Sequence, residues 1–249
     1  MTIRFFGNTI NVVEKIQLPG IFEIIKKSFL IYIKKENFLF FLKIALLNLG
    51  VSFVLLIPAI YFTSIFSKEP IFESIGPATT VFVPTIAIAL GAAVWGLLMQ
   101  ATMVVAVTHV VSGGNLGVRQ TIKEALRKLG RYFLTNVLTG LAVLVGIILL
   151  IIPGLIFMVW YLFSGYIIII QDVRPIEALK QSKKLVSGYF WQVAGRLLGV
   201  MLILIVFQAI LGSIPFLGAV IVTLLTPFYV LVPYLIFDSL RTVKGKISA

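Results

Sequence analysis

The chain has 249 residues, of which 60% are hydrophobic and 12% are charged, and its net charge is +12. Soluble domains are about 45–50% apolar and about 25% charged, so this chain has too few charges to cover a water-soluble core and is predicted to lie in a lipid bilayer. The chain contains no cysteine and one histidine, His109, which excludes disulfides, thiolate metal sites, cysteine nucleophiles and multi-histidine zinc sites.

Six apolar stretches approach or exceed the length of about 20 residues that a helix needs to cross the hydrocarbon core. They cover residues 38–66, 81–111, 132–152, 155–171, 190–212 and 216–237. Two of the turns between them contain proline: Ile152-Pro153-Gly154 after the third stretch and Ser213-Ile214-Pro215 after the fifth. A longer polar loop, residues 67–80, joins the first two stretches. The sequence therefore predicts three antiparallel hairpins.

A basic amphipathic segment precedes each hairpin, at residues 23–32, 118–129 and 175–187. In the middle segment, helical spacing predicts an apolar face and a basic face. The apolar face consists of Val118, Ile122, Ala125, Leu126 and Leu129, and the basic face of Arg119, Lys123, Arg127 and Lys128. Such a helix either lies among lipid headgroups or packs as an elbow against the bundle.

The predicted fold class is therefore all-α, a polytopic membrane helix bundle. Six transmembrane helices form three hairpins, and an amphipathic helix on the cytoplasmic side precedes each hairpin. The repeats cover about 20–112, 113–172 and 173–241 of a single membrane domain.

Lysine and arginine are concentrated on one side of the predicted bundle, because the opposite side carries Lys68 alone. The positive-inside rule places the basic side, with both chain ends, in the cytoplasm. The basic amphipathic helices are expected to meet anionic lipid headgroups. No basic stripe with stacking aromatic residues lies outside the apolar stretches, so we expect no nucleic-acid partner.

The apolar stretches lack the residue sets that catalysis requires, including paired carboxylates, HExxH and G-x-S-x-G. We therefore expect no catalytic residue, no cofactor and no metal ligand. Gln100, Asn136 and Gln208 lie within apolar stretches and either line a polar path or form hydrogen bonds between helices, of which the second is favoured. Two acid and arginine pairs mark predicted helix exits and are expected to have a structural capping role: Asp172 with Arg174, and Asp238 with Arg241. Each acid either pairs with a nearby arginine or caps the next helix at its N-terminus.

Three strings resemble one family of membrane domains: Ile151-Ile152-Pro153-Gly154-Leu155, residues 172–182 (DVRPIEALKQS) and Gly188-Tyr189-Phe190-Trp191. This pattern is similar to the membrane domain attached to some bacterial glycerophosphodiester phosphodiesterases and to related six-helix inner-membrane proteins of the YciC type. The similarity is best over residues 129–206. It implies the cytoplasmic membrane of a bacterium or archaeon and no catalytic domain in this chain, but it supplies no molecular activity.

The expected function is that of a membrane protein without enzymatic activity, in transport or membrane homeostasis of a small solute or lipid. The first alternative is a scaffold or immunity-type protein that binds a protein partner or lipid in the membrane. The second is an intramembrane lipid-modifying enzyme. A solute path would require a polar cavity inside the bundle, whereas a scaffold would have a dry interior.

The orientation is tested by cysteine labelling, for which the cysteine-free chain is a clean background. We expect a cysteine at position 74 to react with a membrane-impermeant maleimide in intact cells. Cysteines at positions 187 and 248 should react only after permeabilisation. The reverse pattern would contradict the predicted orientation.

Overall fold

Long apolar helices make up most of the structure. It is a computed structural model and describes residues 3–5, 8–10, 18–66, 75–114, 116–212 and 217–248. Six segments of the described chain are long and apolar enough to cross a membrane. They are Lys35–Leu55, Thr85–Val111, Val118–Leu149, Ile151–Gln171, Phe190–Ile210 and Thr223–Gly245. The prediction of a multi-pass membrane protein of the all-α class is therefore confirmed.

The elements follow the predicted order, with one addition near the N-terminus. They are β1 (Ile3–Phe5), β2 (Asn8–Ile10), α1 (Ile21–Ile33), α2 (Lys35–Phe66), α3 (Ile75–Val111), α4 (Val118–Leu149), α5 (Ile151–Tyr161), α6 (Ser164–Gln171), α7 (Pro175–Val186), α8 (Phe190–Gly212) and α9 (Leu217–Ser248). The sequence did not predict β1 and β2, which pair antiparallel with Ile3 opposite Ile10. The predicted loop at 67–80 is shorter, because α3 already begins at Ile75. Its residues 67–74 and the predicted turn at 213–215 lie outside the described residues.

The hairpin between α4 and α5 turns at Leu150, whose φ of −164° and ψ of 145° are extended. The predicted turn at Ile152-Pro153-Gly154 is wrong by a few residues, because these residues form the first turn of α5. Proline is tolerated there, since first-turn amides have no partner within the helix. Gly146 of α4 faces Gly154 of α5, and a Cβ added to Gly146 would lie 2.8 Å from the Gly154 Cα. The two backbones therefore touch.

The fourth membrane segment is interrupted between α5 and α6, whereas the sequence predicted one helix over 155–171. Ser182 of α7 is fully buried at this break. Its hydroxyl donates to the carbonyl of Trp160 at 2.6 Å and accepts the amide hydrogen bond of Phe163 at 3.2 Å. One side chain thus forms hydrogen bonds with a carbonyl and an amide that have left the regular helical pattern at the break. The same bonds hold α7 against the break.

Helix α9 contains Pro227 and Pro233, and tyrosines from other helices donate to carbonyls close to both. Tyr32 of α1 donates to the carbonyl of Leu224 at 2.8 Å, and Tyr166 of α6 donates to that of Val230 at 2.9 Å. Each carbonyl lies three residues before a proline, where the proline ring disturbs the helical hydrogen bonds. Burial raises the pKa of the Tyr32 hydroxyl, which therefore keeps the proton it donates.

All three amphipathic segments are helical, but the middle one is the start of the continuous 32-residue helix α4 rather than a separate element. In α1 and α7, buried residues recur at every fourth position: Ile24, Ser28 and Tyr32, and Ala178, Ser182 and Val186. Helix α4 instead buries a rotated face, made of Thr121, Ala125, Lys128, Tyr132 and Thr135.

The predicted basic face of α4 is therefore wrong at Lys128, which is 6% exposed, whereas Leu126 of the predicted apolar face is 51% exposed and does not pack on the bundle. The physical reason is that Lys128 finds an acid and a carbonyl as partners inside the bundle. Periodicity alone cannot reveal such partners.

The α4–α5 contact generates a stability prediction. Gly146→Ala should lower the free energy of unfolding in detergent by about 1–3 kcal/mol, because the added methyl group meets backbone rather than a flexible side chain. Gly140→Ala in the same helix is the matched control, since a Cβ there meets nothing within 4 Å. The control should be neutral or slightly stabilising. Equal effects of the two substitutions would rule out the close backbone contact.

Candidate functional site

A cavity of about 190 Å³ lies between α2, α3 and α9. Its lining combines apolar side chains with four uncharged polar residues. The lining residues are Ile44, Ala45, Asn48, Gly96, Met99, Gln100, Met103, Thr223, Thr226 and Val230. None of these described lining residues is charged, so the cavity suits a ligand that forms hydrogen bonds without carrying a charge.

Asn48 is fixed in this lining by a neighbouring tryptophan. The indole N–H of Trp95 on α3 donates to Oδ1 of Asn48 on α2 at 3.1 Å. This bond orients the amide group, so that its nitrogen is the group left to donate to a ligand. Gln100 lies slightly more than one turn after Trp95 on the same helix and also lines the cavity. Two amide side chains from two helices therefore meet at one site.

The α9 wall of the cavity lies next to a proline inside the helix. Thr223 and Thr226 line the cavity, and Pro227 follows directly. Proline has no amide hydrogen, so Pro227 locally weakens the helical hydrogen bonding beside the cavity, although α9 continues through it as one helix.

The structure places the three predicted polar residues apart. Gln100 lines the cavity, but Asn136 donates from its side-chain nitrogen to the Tyr132 carbonyl of its own helix at 2.9 Å. Gln208 of α8 accepts from the hydroxyl of Tyr229 on α9 at 2.9 Å, on the exposed side of the helices. A polar path through all three residues is therefore not present among the described residues. The alternative role as a bond between helices holds for Gln208.

A charged network that the sequence did not predict joins α4 to the ends of α3 and α6. Nζ of Lys128 donates to Glu124 Oε1 at 2.8 Å and to the carbonyl of Ile169 at 2.5 Å. The second oxygen of Glu124 lies 3.0 Å from Nε2 of His109. One carboxylate thus bridges two basic groups, and the lysine also satisfies a carbonyl in the last turn of α6. The spacing of four between Glu124 and Lys128 was the only signal in the sequence for this network.

Asp172 lies at a helix exit and pairs with an arginine, as predicted, but it does not cap the next helix. Helix α7 begins at Pro175 with Arg174 as its N-cap residue, and no side chain caps it there. Asp172 instead ends α6 with a φ of 53°, and its carboxylate lies 2.7 Å from Nη1 of Arg131. The same Arg131 nitrogen donates to the Asp172 carbonyl at 2.8 Å. Asp172 therefore closes the preceding helix, in a left-handed conformation that aspartate tolerates better than most residues.

Asp238 and Arg241 do not mark a helix exit, because α9 continues to Ser248. The expectation that they cap an exit is therefore wrong. The backbone carbonyl of Asp238 accepts the hydroxyl of Thr242 at 2.9 Å within the helix. Arg241 instead lines a surface groove between α7 and α9. The sequence placed the exit too early because charged residues end the apolar run without ending the helix.

Comparisons with protein-family models, with curated proteins and with solved structures gave no match.

The charged network generates a second stability prediction. Glu124→Ala should cost about 2–3 kcal/mol of unfolding free energy, because it removes the carboxylate from a buried lysine. Lys128→Met should cost less, since it removes the buried charge itself. Glu177→Ala is the control, because Glu177 is exposed and accepts only from Gln181 at 3.2 Å among the described groups. Its effect should stay within about 0.5 kcal/mol, and an equal loss from Glu124→Ala would contradict the network.

Proposed function

We propose that this chain is a membrane protein without enzymatic activity that passes or binds a small, neutral, polar solute in the cavity between α2, α3 and α9. The observation that carries the proposal is the uncharged polar lining from three membrane-length helices, with Asn48, Gln100 and Thr226 as one contribution from each. We further propose that it acts in the cytoplasmic membrane of a bacterium or archaeon.

The size of the cavity supports a small solute. A volume of about 190 Å³ equals the liquid volume of about six water molecules, which admits a compound of a few heavy atoms. A lipid headgroup with its charge would find no ion partner in this lining. Neutral solutes with hydroxyl or amide groups match the amide and hydroxyl side chains present.

The level of the cavity along the helices also supports a transport role. At about 1.5 Å per residue, Asn48 lies about 20 Å from the start of α2, and Gln100 about 17 Å from the end of α3. This level along the helices corresponds to the middle of a bilayer, where many transporters bind their substrates. The scaffold alternative is less well supported, since a scaffold would need no polar cavity at this depth.

Flux measurements in liposomes test the proposal. Liposomes with the purified protein are shocked with glycerol, with urea or with potassium chloride, and volume recovery is followed by light scattering. We expect recovery for at least one neutral solute to be faster than in empty liposomes, and recovery in potassium chloride to be unchanged. Failure of every neutral solute in this size range would contradict the transport proposal.

A glycine pair supplies the matched variants. Gly96 lines the cavity and Gly91 does not, and a Cβ at either position meets nothing within 4 Å. Gly96→Leu should therefore fill the cavity without a backbone clash and abolish the flux. Gly91→Leu, on the same helix, should leave the flux unchanged. Equal flux through both variants would place any solute path elsewhere.

A further inference from the structure

A cluster of five basic side chains lies between α7 and α9. It lines two adjoining grooves of about 430 Å³ and about 550 Å³, which share Lys180, Lys184 and Lys244. We call this surface the α7–α9 basic groove; its cations are Lys180, Lys183, Lys184, Arg241 and Lys244. Glu177 is the one acid among the lining residues, so the groove carries a clear excess of positive charge.

Internal contacts hold two of these cations in place. The Lys244 ammonium donates to the carbonyl of Lys184 and, at 2.9 Å, to that of Ser187, and so joins α9 to the C-terminal end of α7. The Lys183 ammonium lies 4.3 Å from the centre of the Trp160 ring, a cation–π contact. The Lys244 bonds therefore set the distance between α7 and α9 at the groove, and the Lys183 contact holds α7 against α5.

The other three cations, Lys180, Lys184 and Arg241, are exposed. None of them forms a salt bridge with any acid in the described part of the chain. The carboxylate of Glu177 accepts a hydrogen bond from Gln181 instead. Like charges collected in this way repel each other, and a bound anion would relieve the repulsion.

The groove lies where two membrane-length helices share an end. Ser187 lines the groove, and the apolar span Phe190–Ile210 begins three residues later. Arg241 and Lys244 lie in the last turns of the span Thr223–Gly245. Trp191 is 84% exposed, as expected for a residue at the boundary between headgroups and acyl chains. The groove is therefore at headgroup level.

We propose that the α7–α9 basic groove binds the phosphate group of an anionic phospholipid. Lysine and arginine donors serve the phosphate oxygens, while exposed apolar residues of α8, such as Leu198 and Leu202, accompany the acyl chains. A free phosphate would use the same donors but would gain nothing from the apolar surface. This lipid site is independent of the solute cavity.

Thermal unfolding in mixed micelles tests the site. The full chain is titrated with phosphatidylglycerol, with phosphatidylcholine and with inorganic phosphate at the same detergent concentration. We expect phosphatidylglycerol to raise the unfolding midpoint in a saturable manner. Phosphatidylcholine and inorganic phosphate should raise it much less. Equal stabilisation by inorganic phosphate would overturn the lipid assignment in favour of a simple phosphate site.

The variant for this test is K180Q/K184Q/R241Q, which leaves the structural contacts of Lys183 and Lys244 intact. We expect it to raise the half-saturating phosphatidylglycerol concentration at least about tenfold, given the usual contribution of each basic residue near an anionic surface. The matched control, R119Q/K123Q/R127Q, removes the same charge from exposed positions of α4. These residues are expected to meet headgroups only as an exposed helix face, so the half-saturating concentration should rise by a much smaller factor.

Two comparisons keep the result interpretable. If both triple variants weaken binding equally, the lipid responds to overall charge, and the proposed site is wrong. If the K180Q/K184Q/R241Q variant does not fold, the single variant R241Q takes its place and should still weaken phosphatidylglycerol binding relative to R119Q. No difference between these single variants would also overturn the proposal.

Discussion

Every backbone amide and carbonyl inside an apolar solvent must find a partner, and most features of this protein follow from that constraint. Continuous helices satisfy it internally, but this bundle contains interruptions. At several of them a side chain from another element bonds to nearby backbone groups. Ser182 bonds to backbone groups on both sides of the break between α5 and α6, and Tyr32 and Tyr166 donate to carbonyls close to the two prolines of α9. Arg196 donates to the carbonyls of Leu18 and Pro19 ahead of α1.

These bonds do more than satisfy the backbone, because they also decide which helices touch. Lipid tails are as apolar as leucine, so burial of apolar side chains gives helices in a membrane little reason to associate. Close packing and hydrogen bonds between helices supply that reason instead. The Gly146–Gly154 contact joins α4 to α5 by packing, and Ser182 joins α7 to both halves of the fourth membrane segment. Helix α9 is held by tyrosines from α1 and α6.

The polar residues of the protein divide into two kinds with different positions. Uncharged amide and hydroxyl groups gather near the middle of the helices around the α2–α3–α9 cavity, whereas the charged network of Glu124 and the α7–α9 basic groove lie towards the helix ends. This division follows the cost of burying charge in an apolar medium. It also places the two proposed sites in different parts of the protein, so a variant in one site leaves the other unaltered.

The sequence by itself determined that the protein lies in lipid, that its fold class is helical and that six segments are long enough to cross a membrane. These properties follow from hydropathy over about 20 residues, which is local. The sequence also determined that α7 begins at Pro175. It failed where the outcome depended on a distant partner. Lys128 is buried because Glu124 and the Ile169 carbonyl accept hydrogen bonds from its ammonium group, whereas Arg127 beside it is exposed.

The candidate site follows the same rule. Gln100, Asn136 and Gln208 are equivalent in sequence, as isolated amides within apolar runs, and nothing local distinguishes them. Tertiary structure alone decided that Gln100 meets Asn48 in a cavity, that Asn136 bonds its own helix and that Gln208 bonds Tyr229. The physical reason is that helix periodicity fixes only the direction in which a side chain points around the axis of its own helix. Its neighbours depend on which helices pack together and where each one is interrupted.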